Sequence, residues 1–218
     1  MKDIQALVLA AGSARRMGKP KQLLRIGGRS ILEHTIASIL PVEFKHIIAV
    51  IGNKKDKIME EIKIKDTRFN WVINEAFQEG QSTSLKIGIR SFNEPTIHVM
   101  IFLGDLPFIK QDTIEKIFQA GREKLRDTNS PFTIRPVYQG TVGHPVFFGN
   151  MSSAIFEPLS GDLGAKPIMK EIPEHLTIAL ADQGILFDID TINDFHEAKA
   201  AYHRNRSIRT ADILKCME

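Results

Sequence analysis

The chain has 218 residues, a net charge of +3 and 43% apolar residues, which fits one soluble domain or one domain with an elaborated edge. A chain of this size buries roughly 70% of its unfolded surface, and its small positive charge suits an anionic ligand while giving no support for nucleic acid or membrane as a partner. Cys216 is the only cysteine, so no internal disulfide can form, and a reducing, cytoplasmic setting is expected.

The first apolar run, residues 6–11, is too short for a signal-peptide core and far too short to span a bilayer. Residues 6–10 read as a fully buried strand, with Ala11-Gly12 opening a loop. Ser30-Ile-Leu-Glu33 is a capping box, and its helix is expected to bury Ile31, Leu32, Ile36, Ile39 and Leu40. A strand over 46–51 precedes a charged helix near 54–64, and another strand follows over 70–74. Ser82 or Ser84 caps a helix reaching about Arg90. Residues 97–103 give the clearest strand pattern. Asp112-Thr-Ile-Glu115 then caps a helix to about Arg126. Residues 132–137 and 145–148 read as strands with no long helix between them, so part of the sheet is expected to be antiparallel. Asp162 is a candidate cap for a helix toward Glu171. Short strands are expected over 176–181 and 186–189, and a last helix over 193–203.

Repeated strand–helix units predict an α/β fold: a three-layer αβα sandwich with a mostly parallel, mixed sheet. Residues 1–203 form the expected single domain, and 204–218 a tail without an evident role. CxxC, HExxH and GxGxxG patterns and fixed-period repeats are absent.

Four stretches carry possible chemistry. In Leu9-Ala-Ala-Gly12, small residues after a buried strand let backbone N–H groups approach a phosphate. Arg15, Arg16, Lys19 and Lys21 then place four cations within seven positions, the charge that phosphoryl transfer needs. The run is not a Walker A loop: Gly12 to Gly18 is one residue too long, and Pro20 stands where Ser or Thr would be. A solvated basic surface is the competing reading. In Leu103-Gly-Asp105, the carboxylate follows a very apolar strand; it either offers an oxygen ligand for Mg²⁺ at the sheet edge or caps the next turn. In Asp188-Ile-Asp190, strand alternation puts both aspartates on one face, and Asp190 either completes a metal site or caps the last helix. In Glu79-Gly-Gln-Ser-Thr-Ser-Leu85, Gly80 allows close backbone approach and the serines sit at a helix N-terminus, either an anion or base contact or an ordinary capped start. Its partial likeness to the GxSxG elbow fails because Ser84 replaces the last glycine, and no histidine completes a triad. His144 and Lys166 are weaker candidates for holding an acceptor phosphate.

Taken in order, the Leu-Ala-Ala-Gly loop with its following basic run, the Glu-Gly-x-Ser-x-Ser-Leu loop, Leu-Gly-Asp-x-Pro, Gly-His-Pro-Val and Asp-Ile-Asp-Thr resemble the MobA-like NTP transferases. The likeness is greatest to the molybdenum cofactor cytidylyltransferases and runs from Leu9 to about Phe195. It implies a Rossmann-like sandwich of the nucleotide-diphospho-sugar transferase type. It also implies that Leu9, Ala10, Ala11 and Gly12, with Gly80, Gln81 and Ser84, cradle the nucleotide. Arg16 and Lys21 would bind its phosphates, and Asp105 and Asp190 would hold Mg²⁺. Lys21, Arg16 and Asp105 would then be the catalytic set, with His144 and Lys166 on the acceptor side.

Ala-Ala-Gly, rather than Ala-Gly-Gly, favours CTP within this resemblance. The implied reaction moves CMP onto molybdopterin-bound molybdenum with release of pyrophosphate, and the product passes to a molybdenum hydroxylase. A guanylyltransferase, a sugar- or polyol-phosphate nucleotidyltransferase and a non-catalytic cofactor carrier are the alternatives. Two residues depart from the family pattern: Ala14 stands at a usual serine, and Ile192 at a common proline.

Overall fold

The computed structural model describes residues 2–12 and 20–215, and side chains as far as Arg204. In chain order the strands are β1 (Gln5–Leu9), β2 (Arg25–Ile26), β3 (Arg29–Ser30), β4 (Ile47–Ile51), β5 (Phe69–Ile73), β6 (Thr96–Leu103), β7 (Phe132–Tyr138), β8 (Thr141–Val142), β9 (Val146–Ser152) and β10 (Glu174–Ala179). The helices are α1 (Ile31–Ile39), α2 (Lys55–Glu61), α3 (Gln81–Ser91), α4 (Gln111–Asp127), α5 (Lys166–Met169) and α6 (Ile192–Lys215).

The main sheet runs β10-β7-β9-β6-β1-β4-β5, with β8 hydrogen-bonded to β7. β5, β4, β1 and β6 are parallel; β9 is antiparallel to both neighbours, β6 and β7. The mixed sheet expected from the missing helix between β7 and β9 is therefore present. β2 and β3 form a separate small hairpin.

Alternation within the strands builds the layers. Ala6 and Val8 of β1, with Met100 and Phe102 of β6, face the core under α1 and α4. Leu7 of β1, with Val99 and Ile101 of β6, faces the opposite core under α3. Both cores are closed, so β4 can read Ile-Ile-Ala-Val-Ile with every residue buried. Each fully buried Phe, Leu or Ile contributes about 2 kcal/mol relative to exposure, and β-branched side chains suit the pleated surface. A third, smaller cluster gathers Ile26, Ile31, Ile189, Phe195 and Ala198, pinning the start of α6 to the β2–β3 hairpin.

The capping box at Ser30 forms as expected: Ser30 accepts from the Glu33 N–H, and Glu33 returns to the Ser30 N–H at 2.7 Å. Leu40 is only half-buried, because it lies past the end of α1.

Several other expected starts are made differently. The α3 N-cap is Gly80, and Ser82 and Ser84 are buried inside the first turn rather than capping it. Asp112 does not cap α4; it pairs with Lys116 at 2.7 Å, one turn on. The start of α4 is served instead by buried Asp182, which accepts from Lys110 N–H and the Thr113 hydroxyl. Asp162 caps no helix of its own. It accepts from Gln81 N–H, the first residue of α3. Residues 186–189 are not a strand: a 3-10 turn over Gln183–Leu186 leads into irregular chain. The last helix continues past His203 to Lys215.

Candidate functional site at the strand ends

The parallel strands β1 and β6 lie side by side, and their C-terminal ends open together. At such a point a ligand can enter between diverging loops. Gly104 permits the close approach, since a Cβ there would lie 2.8 Å from the Ala10 Cβ. Asp105 follows immediately. Its backbone carbonyl accepts the Ile189 N–H at 3.1 Å, which brings the segment carrying Asp190 to the same edge.

Lys21 joins them. Its ammonium donates to Asp105 Oδ2 at 2.6 Å and to Asp190 Oδ1 at 2.8 Å. The two aspartates are 85 positions apart in sequence and meet at one nitrogen. The Lys21 side chain is only 13% exposed. Burial pushes its pKa down, but the Asp105 and Asp190 carboxylates outweigh that and hold it above the ordinary lysine value. Asp188 has a pKa raised by partial burial and by the neighbouring Asp190 and Asp105 charges. The start of α6 is held by Thr191, whose Oγ1 accepts from Asp194 N–H, while Asp194 accepts from the N–H groups of Asp190 and Thr191.

A cleft of about 390 Å³ adjoins this cluster. Leu9, Ala10, Ala11 and Gly12 form one wall; Gln81 and Ser84 at the start of α3 form part of another; Lys21 and Asp105 also line it. Gly80 is required at its place twice over. Its φ of 112° is left-handed, and a Cβ would lie 2.3 Å from the Gly161 carbonyl carbon. A Cβ at Gly12 would meet no atom of the other described residues within 4 Å. Arg16, expected to bind phosphate, lies outside the described residues, as do Arg15 and Lys19.

Three side chains missed in the sequence shape the cleft. Gln22 is buried and donates from Nε2 to the carbonyls of Ala10 and Gly12, each at 2.8 Å, so it fixes the loop after β1. Asn74 donates to the Ser84 and Thr83 hydroxyls and so orients the first turn of α3. Asp162 covers the Gln81 N–H. Gln22 and Asn74 are ordinary polar residues that nothing local in the sequence marks, and Asp162 stood out only as a candidate helix cap.

His144 and Lys166 do not line this cleft. They line a second cavity of about 150 Å³, together with Arg135, another residue sequence reasoning missed. Leu9, Gln81 and Leu103 border both spaces.

The donor chemistry at Asp105 and Asp190 fits a divalent cation. Asp105 Oδ1 is buried without a hydrogen-bond partner, an unspent lone pair beside a second carboxylate. Among the described residues no group of three or more His, Cys, Asp or Glu is placed to hold a metal ion by itself. A Mg²⁺ ion commonly takes one or two carboxylates and completes its shell with phosphate oxygens and water.

The MobA-like NTP transferase domain matches residues 6–177 of this sequence. The chain belongs to this family. It is a nucleotidyltransferase, and its mixed sheet between helical layers is the Rossmann-type fold of its structural neighbours. The transferase is 27% identical over 204 residues to the molybdenum cofactor cytidylyltransferase of Escherichia coli, covering 93% of this chain and 98% of that one. It is 35% identical over 124 residues to the bifunctional protein GlmU of Buchnera aphidicola, covering 56% of this chain; the match spans only 26% of that longer protein. Nicotine blue oxidoreductase of Paenarthrobacter nicotinovorans is 23% identical over 202 residues, 88% of this chain and 95% of that one. Among solved structures, Rv0371c of Mycobacterium tuberculosis in complex with manganese aligns with a TM-score of 0.71 and 22% identity, over 91% of this chain and 99% of that one.

Proposed function

We propose that this nucleotidyltransferase moves CMP from CTP to the molybdenum–molybdopterin cofactor, releasing pyrophosphate and forming the cytosine dinucleotide. The observation that carries the reading is the meeting of Asp105 and Asp190 at the Lys21 ammonium, beside a cleft walled by Ala10, Ala11 and Gly12. The 27% identity over nearly full length to a molybdenum cofactor cytidylyltransferase supports the acceptor. Ala11 supports CTP over GTP: it lines the cleft, and in the resembled family Ala-Ala-Gly rather than Ala-Gly-Gly goes with CTP.

In this reading the loop after β1, locked by Gln22, and the first turn of α3 hold the base and sugar. Lys21, paired here with Asp105 and Asp190, would turn its ammonium to the triphosphate when the metal is bound and stabilise charge as it develops in the transition state. Arg16 shares that role on sequence grounds. Asp105 and Asp190 would hold Mg²⁺, which when bound supplies Lewis-acid polarisation of the phosphates. A phosphate monoester is already anionic near neutral pH, so it attacks the α-phosphorus in line without a strong general base. His144 and Lys166 lie on the acceptor side. The setting is cytoplasmic, with transient hand-over of product to a molybdenum hydroxylase. No helix among the described residues is long and apolar enough to cross a membrane.

The test is pyrophosphate release with each of the four NTPs and Mg²⁺, with and without molybdenum cofactor. Release with CTP that requires the cofactor is the expected result. Release with GTP or with a sugar phosphate reassigns the substrates. Tight binding of both ligands without pyrophosphate makes the chain a carrier.

A further inference from the structure

Cytosine and uracil rings have the same size, so small residues in the wall of the nucleotide cleft cannot separate CTP from UTP. Hydrogen bonding at ring position 4 must do it. Cytosine presents an amino donor there and uracil a carbonyl acceptor. Selection of cytosine therefore needs a group in the cleft that accepts and does not donate.

Most polar groups of the cleft fail that requirement. Gln78 and Gln81 end in amides, and an amide can turn either its donor or its acceptor to a base. The Ser84 hydroxyl also does both. The Ala10 and Gly12 carbonyls already accept from Gln22. Asp105 is engaged by Lys21. Asp162 is different. It lines the cleft, is exposed, and pairs with no cation among the described residues. An ionised carboxylate only accepts.

Its place is fixed by the first turn of α3. Oδ1 accepts the Gln81 N–H at 3.2 Å, which leaves Oδ2 for another donor. The Ser160 carbonyl accepts from the Ser82 hydroxyl at 3.1 Å and clasps the same strap to the helix. A Cβ at Gly164 would lie 2.6 Å from Gln81 Oε1, so the strap lies flat against the helix start. Asp162 thus stands with Gln81 and Ser84. A carboxylate there would repel a triphosphate, so this side of the cleft suits the base and the Lys21 side the phosphates.

We propose that Asp162 is a specificity-determining residue for the base: its Oδ2 accepts the 4-amino group of cytosine and repels the carbonyl that uracil presents at that position. The assignment rests on the CTP reading above and supplies a discrimination that Ala11 does not. Asp162→Asn is the informative change. Its amide oxygen can still accept the Gln81 N–H, and its NH₂ then faces the base, where it suits uracil.

The experiment measures dissociation constants of CTP and UTP by calorimetry, with Mg²⁺ and without acceptor, for the full chain, Asp162→Asn and Asp162→Ala. The wild-type protein is expected to bind CTP about tenfold tighter than UTP, and Asp162→Asn to bring the two within about threefold. Asp162→Ala should lie between, and it serves alone if the other variant fails to fold. A third ligand needs no variant: a pyrimidin-2-one nucleoside triphosphate, which lacks the 4-amino group, should bind the wild-type protein less tightly than CTP. Equal wild-type affinities for CTP and UTP, or a preference that survives in the folded variants, would overturn the assignment. Equal weakening of both nucleotides in the variants would place the carboxylate on the ribose and overturn it as well. Normal selection of CTP without pyrophosphate release in the presence of cofactor would defeat the transfer reading and leave Asp162 its role. Pyrophosphate release from CTP with the preference unchanged in the variants would defeat Asp162 alone.

Discussion

Two cationic side chains, Arg68 and Lys21, each organise a node of carboxylate and backbone, and they end in opposite states. The Arg68 guanidinium donates to the carbonyls of Leu40, Val42 and Phe44 and to both oxygens of Asp66. Every acceptor it meets is matched, and it ties the chain between α1 and β4 to the start of β5. Lys21 holds Asp105 and Asp190, but Asp105 Oδ1 is left buried and unmatched. A saturated node stabilises a fold. An unsaturated one keeps coordination in reserve for a ligand, and folding must be supported elsewhere.

The sharpest way to break this comparison is Asp105→Asn. Pyrophosphate release is expected to fall by on the order of 10³-fold, with a smaller loss of stability than the next variant shows, since Asp190 still pairs with Lys21. A mutant that unfolds but keeps its rate per folded molecule would invert the contrast. Next in size is Arg68→Met. It strands three carbonyls and a carboxylate and is expected to cost about 3 kcal/mol in urea unfolding, with turnover per folded molecule intact.

The smallest effect is in the pH dependence of stability. The Arg68 side chain and its backbone N–H hold the Asp66 pKa down to about 2 from 3.8. Its contribution is complete above 3.8 and is lost as pH falls through about 2; Asp66→Asn should flatten that acid limb in pH-dependent denaturation. Lys21 titrates the other way. Its raised pKa gives a contribution present below 10.5 and lost in alkali, so Lys21→Met should flatten the alkaline limb.

The fold was legible because its signals are local. The Ser30 capping box, the continuous apolar runs of β1, β4 and β6, and the missing helix between β7 and β9 each report on their own segment. Asp105 and Asp190 were legible as candidates because a carboxylate after a buried strand is unusual. The resemblance implied that the two share a metal site; their meeting at the Lys21 ammonium appears only in the structure. What stayed hidden was long-range. Asp182 serves the start of α4 from about 70 residues away, and Asp162 reaches back to α3. Arg135 looks like any strand arginine until its place in the second cavity is seen in three dimensions. The strand expected over 186–189 shows the reverse failure: alternation does pair Asp188 and Asp190 on one side of buried Ile189, but without a ladder to bond to.

The route by which Asp190 arrives has a consequence in time. It is delivered by chain that comes after the whole sheet, and it is fastened by Ile189, Phe195 and Ala198 against a hairpin formed near the N-terminus. With the role proposed for Asp190, a chain still emerging from the ribosome could complete its central strands and yet be unable to spend a nucleotide. Competence arrives only when the segment carrying Asp190 has been made and closes on the β2–β3 hairpin.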